Sequence, residues 1–266
     1  MLFSFSRQVV NLVQVLQLGK VIDFVVNLLP GGMRKGMTRL RASIYVSLYG
    51  HRQPALVPVE SLKSKQREAW QYLRDRFGAE ALWDYLEFGV YTGTSLGCMY
   101  ENLQDLGLRQ VRLFGFDSFE GLPATAAAED EGAWGPGQFR VRYEYTQEIL
   151  RRKGIDWQRV FLVKGWFSDT LTPELIHQHQ IKKASVIMVD CDIYSAAKEA
   201  LMFCEPLIQD RAVIFFDDWK TSHLDQRNLG EKRAFDEFLQ EKPFFTVEEF
   251  GDYGGNSIAF VVIRKP

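Results

Sequence analysis

Short apolar runs alternate with amphipathic stretches from about residue 80 to the end of the chain. Five of the runs are rich in β-branched and aromatic residues, as is typical of strands buried on both faces of a sheet; they cover residues 82–90, 111–116, 160–163, 186–189 and 213–216. Between them, apolar residues recur at helical spacing, most clearly over residues 94–106, 195–208 and 231–242. Strands that alternate with helices predict βαβ units around a parallel sheet.

Two further apolar runs, over residues 245–250 and 258–263, are separated only by a short glycine-rich turn. Strands joined this closely pair antiparallel. We therefore predict an α/β fold with a doubly wound, Rossmann-like, mostly parallel sheet of seven strands that ends in an antiparallel hairpin. In such sheets, ligands bind beyond the carboxyl ends of the strands, where the strand order reverses.

The first part of the chain has a different pattern, and we predict an N-terminal helical extension over residues 1–78 ahead of a catalytic domain over residues 79–266. Residues 9–29 are apolar but interrupted by polar and charged side chains, so they make a poor membrane span. Pro30-Gly31-Gly32 is expected to stop that helix. A second helical pattern, over residues 61–77, is expected to cover an edge or face of the sheet domain.

Four basic residues and no acid follow the proline and glycines: Arg34, Lys35, Arg39 and Arg41. An apolar helix next to a basic cluster could lie on an anionic membrane surface. The other interpretation, which we favour at this point, is that the extension packs on the catalytic domain or forms a homodimer with a second copy.

Composition excludes some classes of function. The chain has 266 residues, with 32 Lys and Arg against 34 Asp and Glu, and therefore lacks the basic excess of a nucleic-acid-binding protein. We expect no nucleic-acid partner. The three cysteines, Cys98, Cys191 and Cys204, are too far apart in sequence for a thiolate metal motif and are expected to be small buried hydrophobes, which favours a reducing, cytoplasmic location.

The end of the first predicted strand runs into a glycine-containing loop with Glu87, Gly89, Tyr91, Gly93 and Ser95. Glycine lets a backbone approach a ligand closely. The dinucleotide fingerprint has its second glycine two residues after the first, where the backbone meets a pyrophosphate, and Tyr91 occupies that place here. The loop therefore suits a nucleoside ligand without a pyrophosphate, and Glu87 suits a cationic group such as an ammonium or sulfonium.

An acid ends the second predicted strand as well. Asp117, followed by Ser118, is placed where a carboxylate can accept hydrogen bonds from a ribose diol. Together with the preceding loop it predicts a nucleoside-containing cofactor.

Three more acids end the fourth and fifth predicted strands. Asp190 follows one strand, and Asp217 and Asp218 follow the next. Consecutive parallel strands are usually neighbours, so these carboxylates should meet at one rim. Like charges buried together need a compensating cation, and a set of oxygen ligands favours Mg²⁺ or another hard divalent ion. Asp192 could instead cap the helix that follows.

Five segments, in this order along the chain, resemble the macrocin O-methyltransferase-like family of class I S-adenosylmethionine-dependent methyltransferases. They are residues 87–93, 116–123, 165–171, 189–194 and 216–219. The resemblance implies that Asp190, Asp217 and Asp218 hold a divalent metal. It also implies that the 87–95 loop, Asp117 and Ser118 bind the cofactor. Trp166 and Ser168 follow the third strand, where enzymes of this class line the adenine pocket.

The resemblance implies an enzyme that uses S-adenosyl-L-methionine and Mg²⁺ to methylate a hydroxyl of a small molecule, such as a sugar of a natural product. Asp190 is our candidate for the catalytic base, and Lys220 and His223 could also reach the substrate. Residues 124–145 are interpreted as a mobile lid, with Trp134 or Phe139 near the acceptor.

Two other functions stay open at this point. One is an NAD(P)-dependent oxidoreductase on a similar sheet, although the loop lacks the glycines that such an enzyme needs. The other is a non-catalytic protein that binds a cofactor or serves as a scaffold.

Overall fold

The computed structural model describes residues 28–49, 56 and 58–265, and the chain divides into two compact units, Met1–Gln53 and Pro54–Pro266. In the first unit, helix α1 spans Gly31–Tyr49. Helix α1 was not predicted from the sequence, and the helix expected over residues 9–29 falls mainly outside the described residues. Pro30 precedes α1, a position at which the missing proline N–H costs no helical hydrogen bond. Its carbonyl accepts a hydrogen bond from the Arg34 amide (2.9 Å).

The second unit is built on one sheet of seven strands. They are β1 (Asp84–Phe88), β2 (Leu113–Asp117), β3 (Val160–Lys164), β4 (Ala184–Val189), β5 (Arg211–Phe216), β6 (Phe245–Gly251) and β7 (Ile258–Arg264). Their order is β3-β2-β1-β4-β5-β7-β6. Strands β1 to β5 pair in parallel, and β7 pairs antiparallel with both β5 and β6. The predicted doubly wound sheet with its terminal hairpin is confirmed, and the order reverses between β1 and β4.

Helices cover the sheet on both faces. They are α2 (Val59–Phe77), α3 (Thr94–Asp105), α4 (Tyr143–Arg152), α5 (Phe167–Thr170), α6 (Pro173–His179), α7 (Tyr194–Cys204) and α8 (Gly230–Glu241), with short 3₁₀ turns at Ala79–Ala81, Ala124–Ala128, Asp130–Gly132, Glu205–Leu207 and Thr221–His223. Alternate strand residues enter two separate cores, with Tyr85 in one and Leu86 in the other. Helices lie on both faces because each core is closed by its own set of apolar helix residues.

Helix α2 shares a core with α3. Trp70 is fully buried there, and its indole Nε1 lies 2.9 Å from the sulfur of Met99. The predicted division of function at residue 78 stays a prediction. Cys98, Cys191 and Cys204 are buried, as expected. Among the described residues, we find no helix that combines the length and the apolar character needed to cross a membrane.

Candidate active site

One cavity of about 610 Å³ lies beyond the carboxyl ends of the parallel strands. Ten of the predicted site residues line it: Gly89, Tyr91, Ser95, Asp117, Ser118, Trp166, Ser168, Asp190, Asp217 and Asp218. Its volume falls in the range of small-molecule sites. The two remaining predicted site residues, Glu87 and Gly93, are outside this lining.

Three carboxylates form a cluster at the cavity wall. In the described part of the chain, Asp190, Asp217 and Asp218 each offer an oxygen, and these oxygens all lie within 4.8 Å of one another. They meet because β4 pairs with β5 in parallel, with Val189 opposite Phe216 at the strand ends. The cluster therefore lies where the sequence pattern placed it.

The raised pKa values of the cluster show the electrostatic cost of bringing these acids together. Burial raises the pKa of Asp190 well above its ordinary value, and the charges of Asp217 and Asp218 raise it further. Burial and the charge of Asp218 raise the pKa of Asp217 to about 7. A bound cation removes this penalty, and a donor set of oxygens alone fits Mg²⁺.

Neighbouring groups orient the cluster. The Thr221 hydroxyl donates to Asp218 Oδ1 (2.8 Å), and the Asp218 amide donates to Glu231 Oε2 (3.0 Å). Glu231 is buried and its Oε1 has no hydrogen-bond partner among the described residues. Burial, followed by the charge of Asp218, raises the Glu231 pKa well above its ordinary value. Glu231 was not predicted as part of the site because it lies in a helix with no motif around it.

Asp192 is a further buried carboxylate on the cavity wall, in a left-handed backbone conformation (φ 67°). It lies outside the three-carboxylate cluster, close enough to Asp218 for the two charges to interact. Burial and the charge of Asp218 raise its pKa well above the ordinary value.

The suggestion that Asp192 caps the following helix is wrong. The N-cap position of α7 is Ile193. The first two amides of α7 instead donate to acids from a distant loop: Tyr194 N to Asp130 Oδ2 (2.9 Å) and Ser195 N to Glu129 Oε2 (3.0 Å). With those amides occupied, the Asp192 side chain faces the cavity.

Glu87 lies behind the cavity wall and is fully buried. Its Oε2 accepts a hydrogen bond from the Tyr85 hydroxyl (2.5 Å) and its Oε1 accepts one from the Ser95 hydroxyl (2.7 Å). Burial raises the Glu87 pKa to about 8, against the lowering effect of these two bonds. Glu87 therefore does not line the cavity in this geometry, and its expected contact with a cationic ligand stays a prediction.

Asp117 organises the loop after β1. Its Oδ2 accepts hydrogen bonds from the amides of Val90 (2.9 Å) and Tyr91 (2.8 Å), and its Oδ1 accepts one from Phe119 (2.6 Å). A carboxylate has about four lone-pair sites, so one remains for a ligand hydroxyl. The expected contact with a ribose is compatible with this arrangement and stays a prediction.

Two glycines of the loop have different roles. A Cβ on Gly89 (φ +91°) would lie 1.6 Å from the Asp190 carbonyl oxygen, so only glycine lets β1 and β4 approach at the cavity floor. Gly93 (φ 80°) is the N-cap of α3, and a Cβ there would lie 2.9 Å from Leu150. Gly93 therefore shapes the backbone and does not line the cavity.

The segment interpreted as a lid contributes Trp134, Gln138 and Phe139 to the cavity wall. Phe139 stacks edge-on between two rings, 6.0 Å from Trp134 and 6.2 Å from Tyr91. The indole Nε1 of Trp134 is buried without a hydrogen-bond partner among the described residues. The mobility of this segment stays a prediction, although it contains 3₁₀ turns and its C-terminal end enters α4, which we had not predicted.

Two side chains suggested as substrate contacts lie outside the cavity lining. Lys220 and His223 are not lining residues, whereas Thr221 between them is. Lys220 pairs instead with Asp252 (3.7 Å). The turn before β7, residues 254–257, also lines the cavity. It was not predicted because no motif marks it.

Comparison with known proteins finds relatives that match the part of the chain that forms the sheet and the cavity. The family model described as Macrocin-O-methyltransferase (TylF) matches residues 77–250. A curated relative from Streptomyces olivaceus, 8-demethyl-8-(2,3-dimethoxy-alpha-L-rhamnosyl)-tetracenomycin-C 4'-O-methyltransferase, is 28% identical over 142 residues. That match covers 51% of this chain and 52% of the relative, so it spans about half the length of each protein.

Solved structures share the architecture. The O-methyltransferase NovP superposes with a TM-score of 0.61 at 20% identity, covering 76% of this chain and 80% of NovP. An O-methyltransferase from Bacillus cereus, in complex with SAH, superposes with a TM-score of 0.53 at 16% identity, covering 92% of this chain and 97% of that one. At these identities the likeness shows the fold.

Proposed function

The chain belongs to the macrocin O-methyltransferase family, and from that premise we propose that it transfers a methyl group from S-adenosyl-L-methionine to a hydroxyl of a small molecule, with Mg²⁺ held by Asp190, Asp217 and Asp218. The observation that carries this proposal is that the carboxylate cluster and the predicted cofactor residues line one cavity. A cofactor and an acceptor bound there would share a single enclosed space.

On the cofactor side, we propose that Tyr91, Asp117, Ser118, Trp166 and Ser168 hold S-adenosylmethionine, which supplies a methyl group already activated by its sulfonium. Asp117 keeps the backbone of the loop in place through its amide bonds. Glu87 would support the cofactor site through Ser95, because it accepts a hydrogen bond from the hydroxyl of this cavity-lining residue.

On the acceptor side, the cluster of Asp190, Asp217 and Asp218 suits a divalent cation, which would lower the pKa of an acceptor hydroxyl by Lewis acidity. The residues fit such an ion because they offer only oxygen donors and repel one another in its absence. The contacts of Thr221 and Glu231 with Asp218 would keep this ligand oriented.

We propose Asp192 as the base that accepts the acceptor proton, in place of Asp190. A carboxylate committed to a cation is a weaker base, and Asp192 lies outside the three-carboxylate cluster while still facing the cavity. A cation on the cluster would offset the neighbouring negative charges and favour the ionised form of Asp192, which could then take the proton of an acceptor hydroxyl while the methyl group is transferred.

A sugar hydroxyl of a natural product is the acceptor class we propose. The curated relative is named for a rhamnosyl tetracenomycin, and the aromatic wall of Tyr91, Trp134 and Phe139 offers apolar faces against which a ring can pack. The cavity volume of about 610 Å³ leaves space for a sugar beside a nucleoside cofactor.

Titration calorimetry with Mg²⁺ and with S-adenosylhomocysteine tests the metal and the cofactor separately. Asp217→Asn should weaken Mg²⁺ binding by more than the roughly 10–100-fold that loss of an outer-shell partner costs. The same variant should leave S-adenosylhomocysteine binding unchanged. Glu199→Gln is the matched control, since Glu199 lines the same cavity outside the cluster and its loss should not affect Mg²⁺ binding.

Turnover is then measured as S-adenosylhomocysteine released from S-adenosylmethionine in the presence of a panel of rhamnosides and aryl glycosides, with and without EDTA. The proposed metal role is wrong if EDTA leaves turnover unchanged. The proposed cofactor is wrong if the wild-type chain does not bind S-adenosylhomocysteine.

A further inference from the structure

Helix α1 has an apolar stripe that is exposed to solvent. Met33, Met37, Leu40 and Ile44 are 59%, 43%, 55% and 51% exposed. At about 100° per residue, these positions fall within an arc of roughly 60° on one side of the helix. Four large apolar side chains in one row are more than the isolated exposed hydrophobes of an ordinary surface.

The stripe is distinct from the face of α1 that is already buried. Ala42 and Val46 are buried and lie on the opposite side of the helix. A helix that packs through one face has no further need of a second apolar row for its own stability. The row of Met33, Met37, Leu40 and Ile44 therefore suits an external partner.

Charge indicates the chemistry of that partner. Between Asp23 and Glu60 the chain has five basic residues (Arg34, Lys35, Arg39, Arg41 and Arg52) and no acid. Arg34 and Arg39 are exposed on α1. A second copy seated on the stripe would bring the exposed Arg34 and Arg39 of both copies near one another, which is unfavourable between like charges. An anionic lipid surface offers both an apolar layer and the opposite charge.

Two polar side chains of α1 are satisfied within the helix. The Ser47 hydroxyl, at the edge of the stripe, donates to the Ser43 carbonyl (2.8 Å), and the Thr38 hydroxyl donates to the Arg34 carbonyl (2.8 Å). Such bonds lower the cost of placing a hydroxyl near an apolar layer. Helix α1 combines an apolar row with four basic residues in nineteen, a pattern typical of helices that lie along a membrane surface.

We propose that α1 binds an anionic lipid surface through the stripe of Met33, Met37, Leu40 and Ile44. Arg34, at the flank of the stripe, would contact lipid phosphates, and Arg39, on the far side of the helix, would add longer-range attraction. This inference goes beyond the proposed methyl transfer and does not depend on it. The helix would lie in the interface with its apolar row among the acyl chains.

Co-sedimentation of the full chain with vesicles tests the proposal. We expect binding to phosphatidylcholine vesicles that contain phosphatidylglycerol, weaker binding at high salt, and little binding to phosphatidylcholine alone. Near an anionic surface each basic residue contributes about 1 kcal/mol, or roughly a fivefold change in affinity. Arg34→Gln/Arg39→Gln should therefore bind roughly 5- to 30-fold more weakly, depending on how much attraction Arg39 adds from the far side of the helix. Arg109→Gln/Arg140→Gln, which neutralises two exposed arginines of the other unit, should bind like the wild type.

A second variant tests the apolar contact. Leu40→Gln/Ile44→Gln keeps every charge and replaces exposed side chains, so its melting temperature should match that of the wild type while vesicle binding is lost. Equal binding to neutral and anionic vesicles, or unchanged binding of the Arg34→Gln/Arg39→Gln variant, would overturn the proposal. So would a dimer in sedimentation equilibrium that the Leu40→Gln/Ile44→Gln substitution dissociates, because the stripe would then seat a second copy.

Discussion

The carboxylate of Asp130 accepts a hydrogen bond from the backbone amide of Gly230 at 2.8 Å, although the two residues are a hundred positions apart in sequence. Its other oxygen accepts the first amide of α7, from Tyr194. One buried side chain therefore caps α7 and α8 together. It also anchors the segment that carries Trp134 and Phe139 to the cavity.

Asp130→Ala should lower the free energy of unfolding by about 2–3 kcal/mol, because a lost cap costs about 1 kcal/mol and here two helices lose theirs. Urea unfolding measures the change. The neighbouring Glu131→Gln is the control: Glu131 is exposed and forms only a surface ion pair with Arg227 (2.7 Å), whose loss should cost less than about 1 kcal/mol. Equal effects of the two substitutions would contradict the capping role.

Gly89→Ala should abolish Mg²⁺ binding, since the new Cβ would lie 1.6 Å from the Asp190 carbonyl and must displace the backbone of a residue that we propose as a metal ligand. Gly107→Ala is a close control. Gly107 also has a positive φ (+71°), but a Cβ there would meet nothing within 4 Å, so only the backbone strain of roughly 1 kcal/mol is expected. Titration calorimetry and thermal melting of both variants separate the steric effect from the strain. Retained Mg²⁺ binding in Gly89→Ala would show that the β1–β4 approach does not position Asp190.

Glu87→Gln should change how stability depends on pH. The Glu87 pKa is about 8 in the folded protein and near 4.5 ordinarily, so between these values the folded state holds a proton that the unfolded chain has lost. The contribution of Glu87 to the free energy of unfolding is therefore fully present below about pH 4.5 and decreases as the pH rises to about 8.

Glutamine stays neutral at every pH, so its contribution to the free energy of unfolding does not change with pH. Urea unfolding at pH 5, 7 and 9 should show that Glu87→Gln gains stability relative to wild type as the pH rises, by a few kcal/mol in all. Glu60→Gln, which replaces an exposed carboxylate, should follow the wild-type curve. A wild-type slope in Glu87→Gln would mean that Glu87 is ionised in the folded protein at neutral pH.

Asp192→Asn and Asp190→Asn should both lower methyl-transfer turnover, but for different reasons. Loss of a general base reduces kcat by roughly 10²–10⁴-fold, and Asp192→Asn should do so while it keeps Mg²⁺ binding and KM for the cofactor. Asp190→Asn should lose Mg²⁺ binding, because it removes one of the three clustered oxygens. If Asp192→Asn retains wild-type turnover, Asp190 or solvent is the base.

The carboxylate cluster could be predicted from the sequence because it depends only on the order of the strands along the chain and on the residues that end them. Asp190 and Asp217 each follow an apolar run, and neighbouring parallel strands bring their carboxyl ends together. The strands themselves were recognisable because they are short, apolar and bounded by turns. Asp117 was recognisable for the same reason, at the end of β2.

The parts that were missed depend on contacts between distant segments. The sequence around Asp192 resembles a helix cap, and only the arrival of Glu129 and Asp130 at α7 shows that the cap is supplied from elsewhere. The full burial of Glu87 was not predicted, because no sequence pattern shows that the Tyr85 and Ser95 hydroxyls donate to its two oxygens. Helix α1 was missed because its glycines and proline indicated a stop, whereas proline is also favoured at a helix start.

Because Glu129 and Asp130 anchor this part of the cavity wall, the proposed acceptor side of the cavity can be exchanged as a unit. Stability resides in two carboxylates that cap helices, whereas the side chains that face the cavity come a few residues later, at Trp134, Gln138 and Phe139. Exchange of residues 133–139 between relatives, with both anchors kept, is therefore a route to new acceptor preferences that leaves the sheet, the helix caps and the carboxylate cluster intact.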